Sequence, residues 1–579
     1  KQPRQQLNGS IYLDWNVFKG FTAHIDYALS FSNYFQKRAD TPTGAAYDFQ
    51  TGKDIGRYYV ADNVGVSDNN TTNYKTQLNG RLQYETTIAQ NHNIGAMFVY
   101  SEEYWHTRST GASRNDRIHP STSEINAALT NVQSNSGSSA SEGLRSYIGR
   151  MNYSAYDKYL LEFSFRVDGS SKFIKGHQYG FFPTVAVGWR FTEEEFLKKY
   201  LSSWLSSGKL RASWGKLGDN SGVDRFEQLE TLTAMNYMSS DVVKGFVNKK
   251  MINKDLSWEV STDINVGLDL GFLNNRLRTE IDFYNRLRTG MNRPSQMSIH
   301  LTGAYSAPRA NIGDLLNRGL ELNLTWKDKI GNVEYSVNLN GAYNRTVLKE
   351  WNEFLSRGWV YLDMPYHFLY VYENNGIAQT WQDIYNNTPQ GLSPGDVIRK
   401  DLNGDGIIDG KDKKAYPNIQ RDRPTTTYGI TLQAAWKGFD ISMLFNGGLG
   451  RKDFWLTDFN NTAFADRRYA STWDHWTEPW SLENRGGEWP RLGTSTDRSD
   501  NSYWLYNMNY LRMKNIMLGY NLPKKLLSKI SMTNLRIYAS AENLFTVTQY
   551  PGLDPEKKNS ARDLYPINRS FSIGLNVSF

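Results

Sequence analysis

The chain holds 579 residues, with 66 Lys and Arg against 59 Asp and Glu, a net charge of +7 and no cysteine. Disulfide scaffolds and thiolate metal centres are therefore excluded, and a weak positive bias without a basic block gives no nucleic-acid footprint. No run approaches the roughly 18 apolar residues of a membrane-spanning helix, while an aromatic content of 14% argues against disorder.

Mean hydropathy is −0.61, so any membrane surface has to be carried by one face of an otherwise polar chain. The first residues, Lys1-Gln2-Pro3-Arg4, have none of the apolar stretch of a signal peptide. They suggest a sequence that starts after the protein's own beginning. Along the chain, apolar and polar residues alternate in segment after segment, which is the period of a strand with one greasy face. Leu320, Leu322, Leu324 and Trp326 alternate with Glu321, Asn323 and Thr325. Phe571, Ile573, Leu575, Val577 and Phe579 alternate with small or polar residues. About seventeen such strands are predicted, near residues 7–16, 20–32, 74–87, 91–104, 144–156, 158–168, 181–192, 207–216, 260–272, 275–288, 313–326, 331–345, 424–437, 439–450, 508–521, 534–544 and 571–579. Several exceed the usual strand length of about 5–6 residues and match the ~9–11 of a tilted membrane strand.

Connections alternate in length. Val17–Lys19, Ala89–Gln90, Leu273–Asn274 and Gly438 are tight turns, whereas 346–423 and 451–507 are very long. Two larger connections on the short side, Thr192–Ser206 and Pro523–Thr533, carry helix-like patterns. Short turns alternating with long loops are the pattern of an outer-membrane barrel. The expected fold is thus all-β: an antiparallel transmembrane β-barrel with short periplasmic turns and long extracellular loops. Seventeen is odd, and bacterial barrels use even numbers, so the piece reads as the C-terminal part of a longer barrel. Tyr and Trp near strand ends (Trp15, Tyr84, Trp189, Trp326, Trp436, Tyr520) suit headgroup-level girdles, the alternative being core aromatics of a large β-sandwich.

One motif carries metal chemistry. Asp401, Asn403, Asp405, Asp409 and Asp412 place oxygen donors at positions 1, 3, 5, 9 and 12 of an EF-hand-like loop. Gly406 sits at the sharp turn, and Ile407 would offer its carbonyl. The expected cofactor is a structural Ca²⁺ stapling the 346–423 loop. Asp in place of Glu at position 12 points to modest affinity, ~10⁻⁴–10⁻³ M. The alternative is a loop of Asx turns without metal. The same long loops hold Trp351, Trp359, Tyr361, Trp381, Trp455, Trp473, Trp476, Trp480, Trp489 and Trp504 among Asn, Asp and Arg. Flat rings with planar polar groups suit sugars, peptides or a protein partner; the alternative is packing of loop against loop. No His-Glu-x-x-His and no assembled nucleophile or carboxylate pair is found, so no enzymatic activity is expected.

Several ordered motifs resemble one family. Arg145-Ser146-Tyr147-Ile148-Gly149-Arg150-Met151-Asn152-Tyr153, Arg166-Val167-Asp168-Gly169-Ser170-Ser171-Lys172-Phe173, Asn317-Arg318-Gly319-Leu320-Glu321, Glu542-Asn543-Leu544-Phe545 and Tyr550-Pro551-Gly552-Leu553-Asp554-Pro555-Glu556 are similar to SusC/RagA-type TonB-dependent transporters of Bacteroidota. The resemblance implies an outer-membrane barrel of about 22 strands filled by an N-terminal plug. It implies coupling to TonB through that plug, and a SusD-like surface lipoprotein as partner. The implied cargo is oligosaccharides, with peptides as the alternative. Phe579 would serve as the assembly signal. The plug and about five strands of a 22-stranded barrel have no counterpart here. A passive porin, a surface binding protein or a barrel enzyme are the competing readings.

Overall fold

A computed structural model describes residues 3–39, 45–48, 53–57, 65–115, 122–128, 133–201, 204–238, 242–248, 250–302, 306–353, 361–365, 368–420, 423–454, 478–491, 501–527, 532–557 and 567–578. The seventeen expected strands are present: β1 (Arg4–Phe18), β2 (Phe21–Ala39), β3 (Val66–Ile88), β4 (His92–Arg114), β5 (Gln133–Ala155), β6 (Tyr159–Ser170), β7 (Tyr179–Trp189), β8 (Leu205–Asp219), β9 (Glu259–Phe272), β10 (Leu277–Thr289), β11 (Asp314–Ile330), β12 (Val333–Glu350), β13 (Thr426–Trp436), β14 (Phe439–Leu449), β15 (Tyr510–Asn521), β16 (Asn534–Thr548) and β17 (Ser570–Ser578). The chain groups into two compact units. The first comprises Lys1–Val187, Trp214–Thr262 and Thr289–Ile312; the second comprises Gly188–Ser213, Asp263–Arg288 and Gly313–Phe579.

In the first unit β1 to β6 form an antiparallel meander in which each strand pairs with the next. In the second unit β10 to β17 do the same. The tight turns are made by residues with positive φ: Ala89 and Gln90 (50° and 65°), Tyr156 and Asp157 (53° and 55°), Lys437 and Gly438 (46° and 91°). Left-handed pairs match the twist of the strands they join. Gly438 is required for a second reason. A Cβ there would stand 2.8 Å from the Asn521 carbonyl oxygen, because the Asn521 N–H donates to the Gly438 carbonyl across 2.8 Å.

Three strands run nine or ten residues longer than alternation predicts. β3, β4 and β5 each have 23 residues, ~75 Å at ~3.3 Å per residue, against an apolar band of about 25 Å in membrane barrels. The added ends are polar, as in Asn69-Asn70-Thr71-Thr72-Asn73 and Ser134 to Ser139. Ladder hydrogen bonds hold these ends without an apolar stripe, so the sequence period gives no sign of them.

The two faces of each sheet differ in kind. The apolar face is uncovered: Ile11 is 74% exposed, Leu320 48% and Leu575 63%. The polar face is knitted by side chains. Across β1 to β4, Asp14 and Asp26 flank His24 at 2.6 and 3.1 Å. Asn79 then donates to Asp26 (2.9 Å) and Ser101 to Asn79 (2.7 Å). Rings collect at the short-turn ends, where the Trp326 indole N–H donates to the Tyr335 hydroxyl (3.1 Å) and Phe439 lies 4.4 Å from Tyr520. Among the described residues no helix is long and apolar enough to cross a membrane. The helix-like connections are short helices at Glu195–Leu201 and Lys524–Leu527.

Candidate functional site

The long connections after β12 and β14 build a folded module within the second unit. Phe368-Leu369-Tyr370-Val371-Tyr372 alternates, and it forms a ladder with Lys413–Gln420. Asn374–Ile377 pairs with Val397–Arg399. Between them Thr380 caps a short helix, Trp381–Tyr385, in a reciprocal capping box with Asp383. The Thr380 backbone N–H holds the Asp383 carboxyl below its usual range. Lys414 likewise holds Glu373 below its own range, and is itself raised by that pairing.

The second connection packs on the first. Leu369, Val371, Phe454 and Trp504 are buried together, with Tyr416, Trp489 and Leu505 against them. Trp489 stacks on Trp504 at 6.4 Å. Trp480 is buried and its indole N–H donates to Gln379 Oε1 (3.0 Å). Gly395, at φ +91°, leaves room for that ring: a Cβ there would meet it at 2.5 Å. Arg491 grips the buried Asp396 carboxylate at 2.8 and 3.2 Å. Burial raises the Tyr506 phenol to about 12.

Of the predicted aromatic set, Trp480 is buried in the module, with its indole bonded to Gln379. Trp351 is half-buried, while Tyr361 and Trp381 are exposed. Trp359, Trp455, Trp473 and Trp476 lie outside the described residues, as does Phe579. Trp489 and Trp504, also among the aromatic residues read in these loops, anchor the module.

The 401–412 loop joins the two ladders. Asp401 accepts from the N–H groups of Gly404 (2.6 Å) and Gly406 (2.9 Å) and from the Thr388 hydroxyl (3.0 Å). Burial raises the Asp401 carboxyl, but those backbone donors outweigh it and the net shift is downward. Gly404 and Gly406 both have positive φ (74° and 81°), the sharp turning that the motif asks of glycine. Asn403 accepts from Asp405 N–H, Asp405 from Ile407 N–H, and Asp409 from Lys411 N–H. Asp412 is fully buried. Its Oδ1 accepts from Leu402 (2.9 Å) and Asn403 (3.4 Å), and its Oδ2 from Asp409 (2.9 Å). The donors are all oxygens and suit a hard cation in kind. They are not gathered, however: among the described residues no three His, Cys, Asp or Glu groups converge on a metal position.

On the polar face of β10 to β13, Glu280, Asp282, Glu321, Asn323 and Asn340 line a shallow concavity of about 250 Å³. Arg211 on β8 binds Asp269 (2.7 Å) and Asp282 (2.9 Å) above it.

Comparison with known proteins agrees with this build. A family model described as TonB dependent receptor-like, beta-barrel matches residues 2–390. The TonB-dependent receptor SusC of Bacteroides thetaiotaomicron is 30% identical over 75% of this chain and 44% of its own length. The TonB-dependent receptor P3 of Formosa agariphila is 28% identical over 96% of this chain and 59% of its own length. A solved structure of the RagAB peptide transporter superposes with a TM-score of 0.83 at 22% identity, covering 100% of this chain and 62% of the matched one. The chain spans about half the length of the curated relatives it matches. With its strands, its uncovered apolar face and the family match in agreement, the chain belongs to the TonB-dependent receptor-like β-barrel family.

Proposed function

We propose that the chain forms barrel wall and outer loops of an outer-membrane importer of the SusC/RagA type. In that reading TonB energises uptake of large nutrients through a plug carried elsewhere in the protein, and a SusD-like surface lipoprotein assists. Oligosaccharides are the favoured cargo and peptides the alternative. The observation that carries the reading is the two-faced sheet. Its apolar residues are solvent-exposed in the chain alone, while its polar face is organised by hydrogen bonds, as expected where one side meets lipid and the other a hydrated lumen. No covalent chemistry is required; capture falls to loop surfaces such as Tyr361 and Trp381. A Ca²⁺ held by Asp401, Asn403, Asp405, Asp409, Asp412 and the Ile407 carbonyl would staple the module.

The test is uptake by cells expressing the full-length protein, with labelled oligosaccharides and labelled peptides as separate cargos, with and without TonB. Uptake that persists at full rate without TonB or the proton motive force would replace active import by a passive porin.

A further inference from the structure

The apolar face carries a pair of arginines that the import reading leaves unused. Arg318 on β11 and Arg345 on β12 stand directly opposite each other in register. They lie on the same face as the exposed Phe283, Leu320 and Tyr343. Both sit within a few residues of the ends that lead into long connections. Like charges facing across a ladder destabilise it, and nothing here neutralises them. Arg318 Nε donates to the neutral Asn285 side chain at 2.7 Å. Arg345 Nε is buried without a hydrogen-bond partner. Among the described residues neither guanidinium meets a carboxylate.

A second arginine on an apolar face is treated differently. In the first unit Arg145 on β5 faces Glu102 on β4 in register and binds it at 3.1 Å. Tyr100 donates to the same carboxylate at 2.5 Å. An arginine at that kind of position therefore has a carboxylate where the chain supplies one, and the Arg318–Arg345 pair has none.

We infer that Arg318 and Arg345 together bind the phosphate of a lipid headgroup at the long-loop border of the apolar belt. Two adjacent planar guanidiniums offer several N–H donors to one phosphate, the geometry in which arginine outperforms lysine. The Asn285 contact orients the Arg318 fork, leaving its terminal nitrogens available. The anion would remove the cross-strand repulsion. This assignment rests on the proposal that the apolar face meets lipid. The site predicts that the protein selects phosphorylated lipid on one side of the membrane, at a place distant in sequence from the 401–412 loop.

The experiment uses the full-length protein in detergent, titrated by native mass spectrometry with monophosphoryl lipid A, the same lipid without its phosphate, and inorganic phosphate. Each arginine near a charged surface contributes about fivefold to binding. The phosphorylated lipid should therefore bind on the order of twentyfold more tightly than its dephosphorylated form. Arg318→Gln with Arg345→Gln should erase that difference. Arg286→Gln, whose side chain binds Asp263 on the polar face, should retain it. A difference that survives the double variant overturns the site. Binding of inorganic phosphate with the same affinity and the same arginine dependence overturns the lipid assignment. Insertion into lipid vesicles, measured for wild type and variants alike, is a separate readout. Failure of the wild type there sinks the membrane reading, whereas normal insertion with unchanged lipid preference sinks only this one.

Discussion

Leu322 in the strand wall and Trp504 in the loop module are both large apolar side chains on or beside β-structure, yet one is 37% exposed and the other 2%. The module hides its rings because its surroundings are water; burying a side chain that size removes apolar surface at ~25 cal/mol per Å². The wall leaves a whole stripe uncovered across both of its meanders. A stripe of that extent on a water-soluble protein would be an aggregation hazard, so the two regions are built for different solvents. The chain carries a core for water and a surface for lipid side by side.

The largest effect expected on the module comes from Trp504→Ala. It removes a fully packed ring from the cluster with Leu369, Val371 and Phe454, a change costing about 3–5 kcal/mol. Limited proteolysis should cut 366–423 and 478–507 faster, while the heat-resistant migration of the full-length barrel stays unchanged. The reverse experiment is Leu322→Arg. A cation on a lipid face costs about 2–4 kcal/mol at the midplane, so assembled protein should fall while module proteolysis is unaltered. If Leu322→Arg is neutral in assembly, the two-solvent comparison collapses. A smaller effect is expected from Thr380→Ala, which removes the cap of the Trp381–Tyr385 helix at about 1 kcal/mol. It should raise hydrogen exchange around Gln379 and Asp383 and leave the wall untouched.

How far the sequence alone reveals this depends on the solvent of each part. The wall was legible strand by strand, because lipid on one side and water on the other impose a period of two on residues such as Leu320 to Trp326. It became illegible where β3, β4 and β5 leave the apolar band and the period dissolves into Asn, Thr and Ser. The module was legible in fragments only. Its Trp residues and aspartate loop were read, whereas the Thr380–Asp383 capping box and the alternation of Phe368 to Tyr372 were not, because such short segments are hard to separate from chance. The pairing of 368–372 with 413–420 closes across more than forty residues and leaves no local trace. In the 401–412 loop the donor residues were readable, but the inward turn of Asp412 was not. Aspartate spacing specifies which oxygens exist and says nothing of which backbone N–H groups claim them first.

That competition gives the finest test. Asp412 satisfies three backbone N–H groups from a fully buried position, so Asp412→Ala strands donors at about 1–3 kcal/mol each and should open the loop with or without Ca²⁺. Asp405 is exposed and accepts from the Ile407 N–H and the Asn403 side chain; Asp405→Ala should matter only where a cation is held. Protease sensitivity of 366–423 in Ca²⁺ and in chelator separates the cases. An Asp405→Ala loop that behaves as wild type in both buffers leaves Asx turns as the whole of the staple. Acid offers an independent handle, because Asp401 and Asp383 are held below the ordinary carboxylate range. For a depressed carboxylate the stabilisation is complete above the unfolded value of ~4 and is lost as pH falls through the lowered folded value. The module should therefore hold at pH 5 and loosen only below pH ~4, whereas a Ca²⁺-stapled loop should in addition shift its loosening to lower pH when Ca²⁺ is added, since protons and cation compete for the same oxygens.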